Sequence, residues 1–308
     1  MEESIVKVEH LSHRYSVQWA IRDINFEITK NGIYGLLGSN GAGKSTTMKI
    51  LSCFIPQSSG EAKVCGMDVR TDSLKIRNEV GYLPENNPLY KDMYIKEYLA
   101  YIARLYNISK PMKRVGEMIE LTGLGQEQRK LISQLSKGYK QRVGLAQAMI
   151  HNPQVLIMDE PTSGLDPNQL AEIRNLIREI GKEKVVVFST HIMQEVEALC
   201  NRVVIINKGK IVIDDEISKL NTISQGSNSV TIQFSKDSKA NLNHFKEIAG
   251  LKNIESLEQN SYMFTSNDSV DIREALFDIS VASGLKIIRM EQKTFSMENV
   301  FQQLTASK

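Results

Sequence analysis

The chain has 308 residues, 41% of them hydrophobic and 24% charged, with a formal net charge of +2. That length suits a large domain plus a small one, burying about three quarters of the unfolded surface without disulfide staples. Near-balanced charge argues against a protein built to coat nucleic acid, and the scattered Cys53, Cys65 and Cys200 argue against a disulfide framework or a cysteine metal site.

The opening MEESIVKVEH lacks a basic region followed by an apolar one, so no signal peptide is expected. No apolar run approaches the roughly 18 residues of a membrane span, and a cytoplasmic chain is expected. Residues 5–30 alternate as an antiparallel β lead-in, and GIYGLLG reads as a buried strand leading through a Gly-rich loop into the helix STTMKILSCFI. GYLP (81–84) ends another buried strand, and residues 92–123 show helical spacing broken at Pro111 and Gly123. Helices are expected over 139–151, 167–181 and 191–199, between the buried strands QVLIMDE and KVVVFST, with RVVIINKGKIVIDD as a hairpin around Lys208 and Gly209. Buried strands alternating with helices imply an α/β fold with a mainly parallel sheet.

LNTISQGSNS (220–229) reads as a linker, placing a large domain at 1–218 and a small one at 219–308. The small domain reads as strand 229–234, helix 238–248, strands 253–258 and 261–266, helix 269–283 and strand 285–291, then a last helix 295–305. The βαββαβ order is the ferredoxin-like α+β pattern, and it carries no catalytic cluster.

GSNGAGKST spans residues 38–46 and fits G-x-x-x-x-G-K-[ST] at Gly38, Gly43, Lys44 and Ser45. A strand before and a helix after supply the required context. Across Gly38, Ser39, Asn40, Gly41, Ala42 and Gly43, backbone N–H groups can converge on phosphate oxygens, and the helix start adds its positive end. Lys44 is expected at the β- and γ-phosphates, Ser45 on Mg²⁺ and Thr46 as a further phosphate donor. In VLIMDEP, Asp159 ends a buried strand and suits a Mg²⁺ anchor. Glu160, expected to point the other way off the strand end, suits polarisation of an attacking water. These features alone leave kinases, helicases and GTPases open.

LSKGYKQRVGLAQAMI (135–150), followed by NPQVLIMDEPTSGLDP, resembles the ABC ATPase family, whose signature is L-S-G-G-Q before a helix. The resemblance spans residues 4–218. It implies a P-loop ATPase core with a helical subdomain, with ATP and Mg²⁺ as cofactors. Ser136 and Gly138 would then meet the ATP of a partner subunit, with Lys137 and Tyr139 departing from the family pattern. It further implies that Asp166 belongs to the D-loop, that His191 is the switch histidine at the γ-phosphate, and that Tyr15 stacks on adenine. Glu85, after GYLP, stands where the family has the Q-loop glutamine and would serve as a catalytic and Mg²⁺ ligand.

Expected partners are a second ATPase subunit, as a homodimer on ATP binding, and integral membrane permease subunits, with no nucleic acid. GYLPE and the ending TFSMENVFQQLT resemble ATPase subunits of ABC-2-type exporters, and GYLPENNPLYKDMYIKEYL resembles gliding-motility ATP-binding subunits. The contrasting possibility is a soluble ABC ATPase acting on nucleic acid or ribosomes. No sustained heptads and a single cassette disfavour it.

Overall fold

The computed structural model describes residues 4–220, 228–235, 242–258, 260–266 and 270–294. Two compact units form, Met1–Glu216 and Ile217–Lys308.

In the first unit, β1 (Val6–Tyr15) and β2 (Gln18–Ile28) form the antiparallel lead-in. They continue into β4 (Ser59–Val64) and β5 (Met67–Asp68), in the order β2-β1-β4-β5. A six-stranded sheet is built from β3 (Gly32–Leu37), β6 (Val80–Leu83), β7 (Val155–Asp159), β8 (Val185–Thr190), β9 (Arg202–Asn207) and β10 (Lys210–Glu216). Its order is β10-β9-β3-β8-β7-β6, parallel except for the edge strand β10. Strands β3, β7 and β8 are buried along their whole length, which is why their sequences run apolar without alternation.

This order positions the site. Leu37 lies beside Thr190, Asp159 beside Ser189 and Leu83 beside Met158, so β3, β6, β7 and β8 end at one level. Loops leaving the carboxyl ends of parallel strands therefore converge, as ligand sites of open α/β sheets require. The β9–β10 turn braces them. Lys208 (φ 48°) and Gly209 (φ 78°) make a two-residue turn with both residues left-handed, and the Gly209 N–H donates to Ala42 O at 2.9 Å.

The helices are α1 (Lys44–Leu51), α2 (Ser73–Glu79), α3 (Ile95–Leu105), α4 (Pro111–Leu121), α5 (Lys137–Met149), α6 (Pro167–Glu183) and α7 (Met193–Leu199). Several boundaries differ from expectation, among them the end of α1 at Leu51 rather than residue 55, and two differences bear on the site. Helix α5 begins two residues before 139 because Ser136 caps it, and α7 begins two residues after 191, which leaves His191 on a loop.

In the second unit, β11 (Asn228–Phe234), β12 (Leu251–Leu257), β13 (Ser261–Ser266) and β14 (Ile287–Thr294) form an antiparallel sheet ordered β12-β13-β11-β14. With α8 (Arg273–Ala282) this is the ferredoxin-like arrangement. Of the expected helix over 238–248, residues 238–241 lie outside the described residues, and Leu242–Glu247 form a 3₁₀ segment. The expected helix 295–305 lies outside the described residues. Phe234, Phe245 and Phe264 form the centre of this unit's core.

Candidate functional site

The loop between β3 and α1 encloses one end of a cavity of about 570 Å³. Gly43, the N-cap of α1, has φ 116°, and a Cβ there would meet Ile21 Cγ2 at 2.5 Å and Ala20 O at 2.6 Å. Only glycine fits both the angle and the space. Lys44 is 5% exposed; its Nζ donates to Gly38 O at 2.8 Å and Ser39 O at 3.2 Å, and lies 3.6 Å from Glu160 Oε1. Burial pushes the Lys44 ammonium below its ordinary pKa, opposed by the charges of Glu160, Asp159 and Glu85. A partly desolvated cation at a helix N-terminus is a receptor for an anion.

Of the two acids, Glu160 lines this cavity, whereas the buried Asp159, like Gly38 and Ser39, does not line it and is linked to it through Ser45. Asp159 Oδ1 accepts from Ser45 Oγ at 3.0 Å and from Ser189 Oγ at 2.5 Å. Alternation along a strand would send Glu160 to the opposite face, as expected from sequence. Instead Glu160 has φ 49°, a left-handed conformation rare for a side chain of its size, and its carboxylate turns back to the site. There it receives the His191 ring, whose Nδ1 lies 3.0 and 3.2 Å from its two oxygens. The Glu160 N–H donates to Ser189 Oγ at 3.0 Å, so one buried hydroxyl holds both acids.

Of the residues expected here, Tyr15, Asn40, Gly41, Ala42, Gly43, Lys44, Ser45, Thr46, Glu85, Glu160 and His191 line the cavity. Trp19 and Ser163 line it too, and sequence reading missed both, as it missed Ser189. The signals were the lone tryptophan, four residues after Tyr15 and opposite Arg14 in the hairpin, and a hydroxyl directly after the apolar VVVF run. Tyr15 and Trp19 are each about half exposed at the cavity mouth.

Ser136, Gly138 and Asp166 are not brought to this cavity. Ser136 caps α5, its Oγ accepting from the Tyr139 N–H at 3.4 Å. Gly138 and Asp166 line a separate cavity of about 250 Å³. The Asp166 carboxylate is engaged by its own helix, accepting from Asn168 N at 3.0 Å and Gln169 N at 2.9 Å. The departures from the signature pattern also have partners. The Lys137 side chain lies against Gly164, and the Arg142 guanidinium sits 5.9 Å from the centre of the Tyr139 ring. Arg142 also pairs with Glu172 of α6 and donates to Thr122 O at 2.9 Å.

The segment carrying Glu85 is tied to the same helix. Asn87 Nδ2 donates to Lys140 O at 3.4 Å and fills the space where any side chain at Gly144 would stand. A third cavity, about 520 Å³, opens between β6 and α3 and includes the exposed Phe54 and Leu105. In it His151 stacks on Tyr106, with ring centres 4.0 Å apart. His151 Nδ1 and Tyr82 OH are buried there without hydrogen-bond partners.

Burial pushes the His151 pKa down from 6.5 to about 4, against the raising effect of its bond to Val80 O. The folded state therefore binds fewer protons than the unfolded chain between those values, so this contribution to stability is complete above pH 6.5 and is lost as pH falls toward 4. The melting temperature should fall more steeply across that window in the wild type than in His151→Gln; equal slopes would contradict the assignment.

The model of the ABC transporter family matches residues 21–163. The chain is 33% identical over 299 residues to an uncharacterised ABC transporter ATP-binding protein, YxlF of Bacillus subtilis, covering 96% of this chain and 98% of the relative. It is 35% identical over 223 residues to the bacitracin transport ATP-binding protein BcrA of Bacillus licheniformis, covering 71% and 72%. Among solved structures it resembles CbiO1 of Clostridium perfringens, part of the CbiONQ transporter complex, with TM-score 0.64 and 29% identity over 71% of this chain and 91% of that one. With near full-length similarity added to a P-loop, paired acids and a signature helix, the chain belongs to the ABC transporter ATP-binding proteins and is an ATP-hydrolysing subunit of a transporter.

Proposed function

We propose that this chain is one half of a two-subunit ATP motor that drives separate membrane subunits of an ABC-2-type exporter. The observation that carries the reading is the separation of Ser136 and Gly138 from the chain's own nucleotide cavity. The start of α5 that they form suits the phosphates of ATP on a second copy, which would place two nucleotides between two chains.

Within each site, Lys44 and the N–H groups of 38–46 hold the phosphates. Tyr15 takes the adenine, with Trp19 beside it. Glu160 accepts a proton from the attacking water, and His191, held on Glu160, senses the γ-phosphate. Ser45 and Asp159 present a hydroxyl and a carboxylate 3.0 Å apart, a donor set that suits Mg²⁺ arriving with nucleotide. Among the described residues no group of three or more His, Cys, Asp or Glu could hold a metal unaided. Bound Mg²⁺ neutralises phosphate charge, and Glu85 adds a carboxylate where a glutamine would be neutral. Glu85→Gln is therefore expected to keep hydrolysis but to raise the Mg²⁺ concentration for half-maximal rate; an unchanged Mg²⁺ titration would remove the carboxylate from that role.

Among the described residues no helix is long and apolar enough to cross a membrane; the spanning part belongs to partner subunits, with this chain held at the cytoplasmic face. The cavity between β6 and α3, with its exposed Phe54 and Leu105, is the surface offered to them. A bacitracin transport relative supports an export role. Residues 81–99, which resemble gliding-motility subunits, favour a cell-envelope assembly as the system served. To test this, a tagged Glu160→Gln chain would be extracted from membranes with ATP and Mg²⁺ and its companions identified by mass spectrometry. A polytopic membrane protein at near-stoichiometric yield is expected. Ribosomal or DNA-bound companions without one would overturn the transport reading.

A further inference from the structure

We propose that Glu195 is a positioning residue for hydrolysis, holding the loop that carries His191 and tying that loop to α6; this rests on the reading of Glu160 and His191 above. Glu195 lies in α7 outside every motif, yet its side chain is only 1% exposed. Withdrawing a carboxylate from water is costly unless it is paired and hydrogen-bonded. Its partners all bear on the site.

Thr190, at the end of β8, donates from Oγ1 to Glu195 Oε2 at 2.6 Å. The same hydroxyl accepts the Ile192 N–H at 3.1 Å. Thr190 O in turn accepts the N–H of Gly38, the first residue of the phosphate loop, at 3.4 Å. The residues on both sides of His191 are thereby fixed, one to the phosphate loop and both to the Thr190 hydroxyl that Glu195 orients. The His191 side chain itself is about half exposed, and its ring reaches Glu160 at 3.0 Å. A half-exposed ring is held at that distance by its backbone, so the Glu195–Thr190 pair sets its direction. On the far side, Arg174 Nη2 lies 4.0 Å from Glu195 Oε1. Arg174 stands about two turns into α6, whose N-cap is Asp166. A shift of α6 at the signature-side cavity therefore reaches His191 through Arg174, Glu195 and Thr190.

The test is steady-state ATPase kinetics on full-length Glu195→Ala, Glu195→Gln, Thr190→Val, His191→Ala and the Glu195→Ala/His191→Ala double variant. A small misplacement of a catalytic contact is expected to lower kcat by about 10- to 10²-fold in Glu195→Ala and Thr190→Val. KM and equilibrium affinity for ATP should stay within about twofold, because the phosphate loop is untouched. Glu195→Gln keeps an oxygen that accepts from Thr190 and should retain most of kcat. In the double variant, Glu195→Ala should add no loss to that of His191→Ala, since it acts through that ring. Multiplying losses, or KM rising as kcat falls, would overturn the proposal while leaving the site reading intact. Near-normal kcat in His191→Ala would overturn both. Should Glu195→Ala fail to fold, Thr190→Val, close in shape to the native residue, carries the same prediction.

Discussion

Glu160→Gln is expected to slow ATP hydrolysis by about 10²- to 10⁴-fold, the loss typical of removing a catalytic base, while ATP still binds. The amide matches the carboxylate in size, so a side chain that is 9% exposed is replaced without a cavity. It cannot take a proton from water. It also withdraws a negative charge 3.6 Å from Lys44, so the ammonium acts more fully on the phosphates. The variant should therefore collect as an ATP-bound dimer. Single-turnover hydrolysis and size-exclusion chromatography with ATP and Mg²⁺ read both effects. Turnover near the wild-type rate would assign the base elsewhere.

Gly138→Asp should reduce hydrolysis about as severely as loss of an oxyanion donor, on the order of 10²- to 10³-fold, and for a different reason. A Cβ at Gly138 would lie 2.3 Å from Gln169 Oε1, the tip of a flexible side chain that can move, so the fold should tolerate the change. The new carboxylate would then face the partner's phosphates at the start of α5, where like charge repels. Because Gly138 does not line the chain's own nucleotide cavity, ATP affinity of the isolated chain should change by less than about threefold. A Glu160→Gln/Gly138→Asp double variant should stay monomeric with ATP. Loss of ATP binding by the isolated chain would mean that the signature serves its own nucleotide.

The phosphate loop was legible because its chemistry is local. Nine consecutive residues, 38–46, supply the glycines, the lysine and the hydroxyls, and a strand and a helix bracket them. Asp159 was legible because an acid ending a buried strand is a local signal too. Glu160 was only half legible. Its identity could be read, but its direction depends on a left-handed backbone that alternation along the strand does not anticipate. The 3₁₀ segment Leu242–Glu247 was misread as helix because apolar spacing does not separate one short turn type from another.

Sequence by itself determined the family, the ATPase chemistry and most strands of both units, since each is written in contiguous motifs and in hydrophobic period; β4 and β5 were not read from it. Tertiary structure alone decided what stands next to what. The parallel order β3-β8-β7 sets Ser189 between Asp159 and Glu160, and the β1–β2 hairpin, which pairs Trp19 with Arg14, brings both Tyr15 and Trp19 to the cavity. It also buries Glu195 against Thr190 and Arg174, and keeps Gly138 apart from the cavity it is proposed to serve in a second chain. Such pairings join residues far apart in the chain, and only the packing of strands and helices fixes their distances.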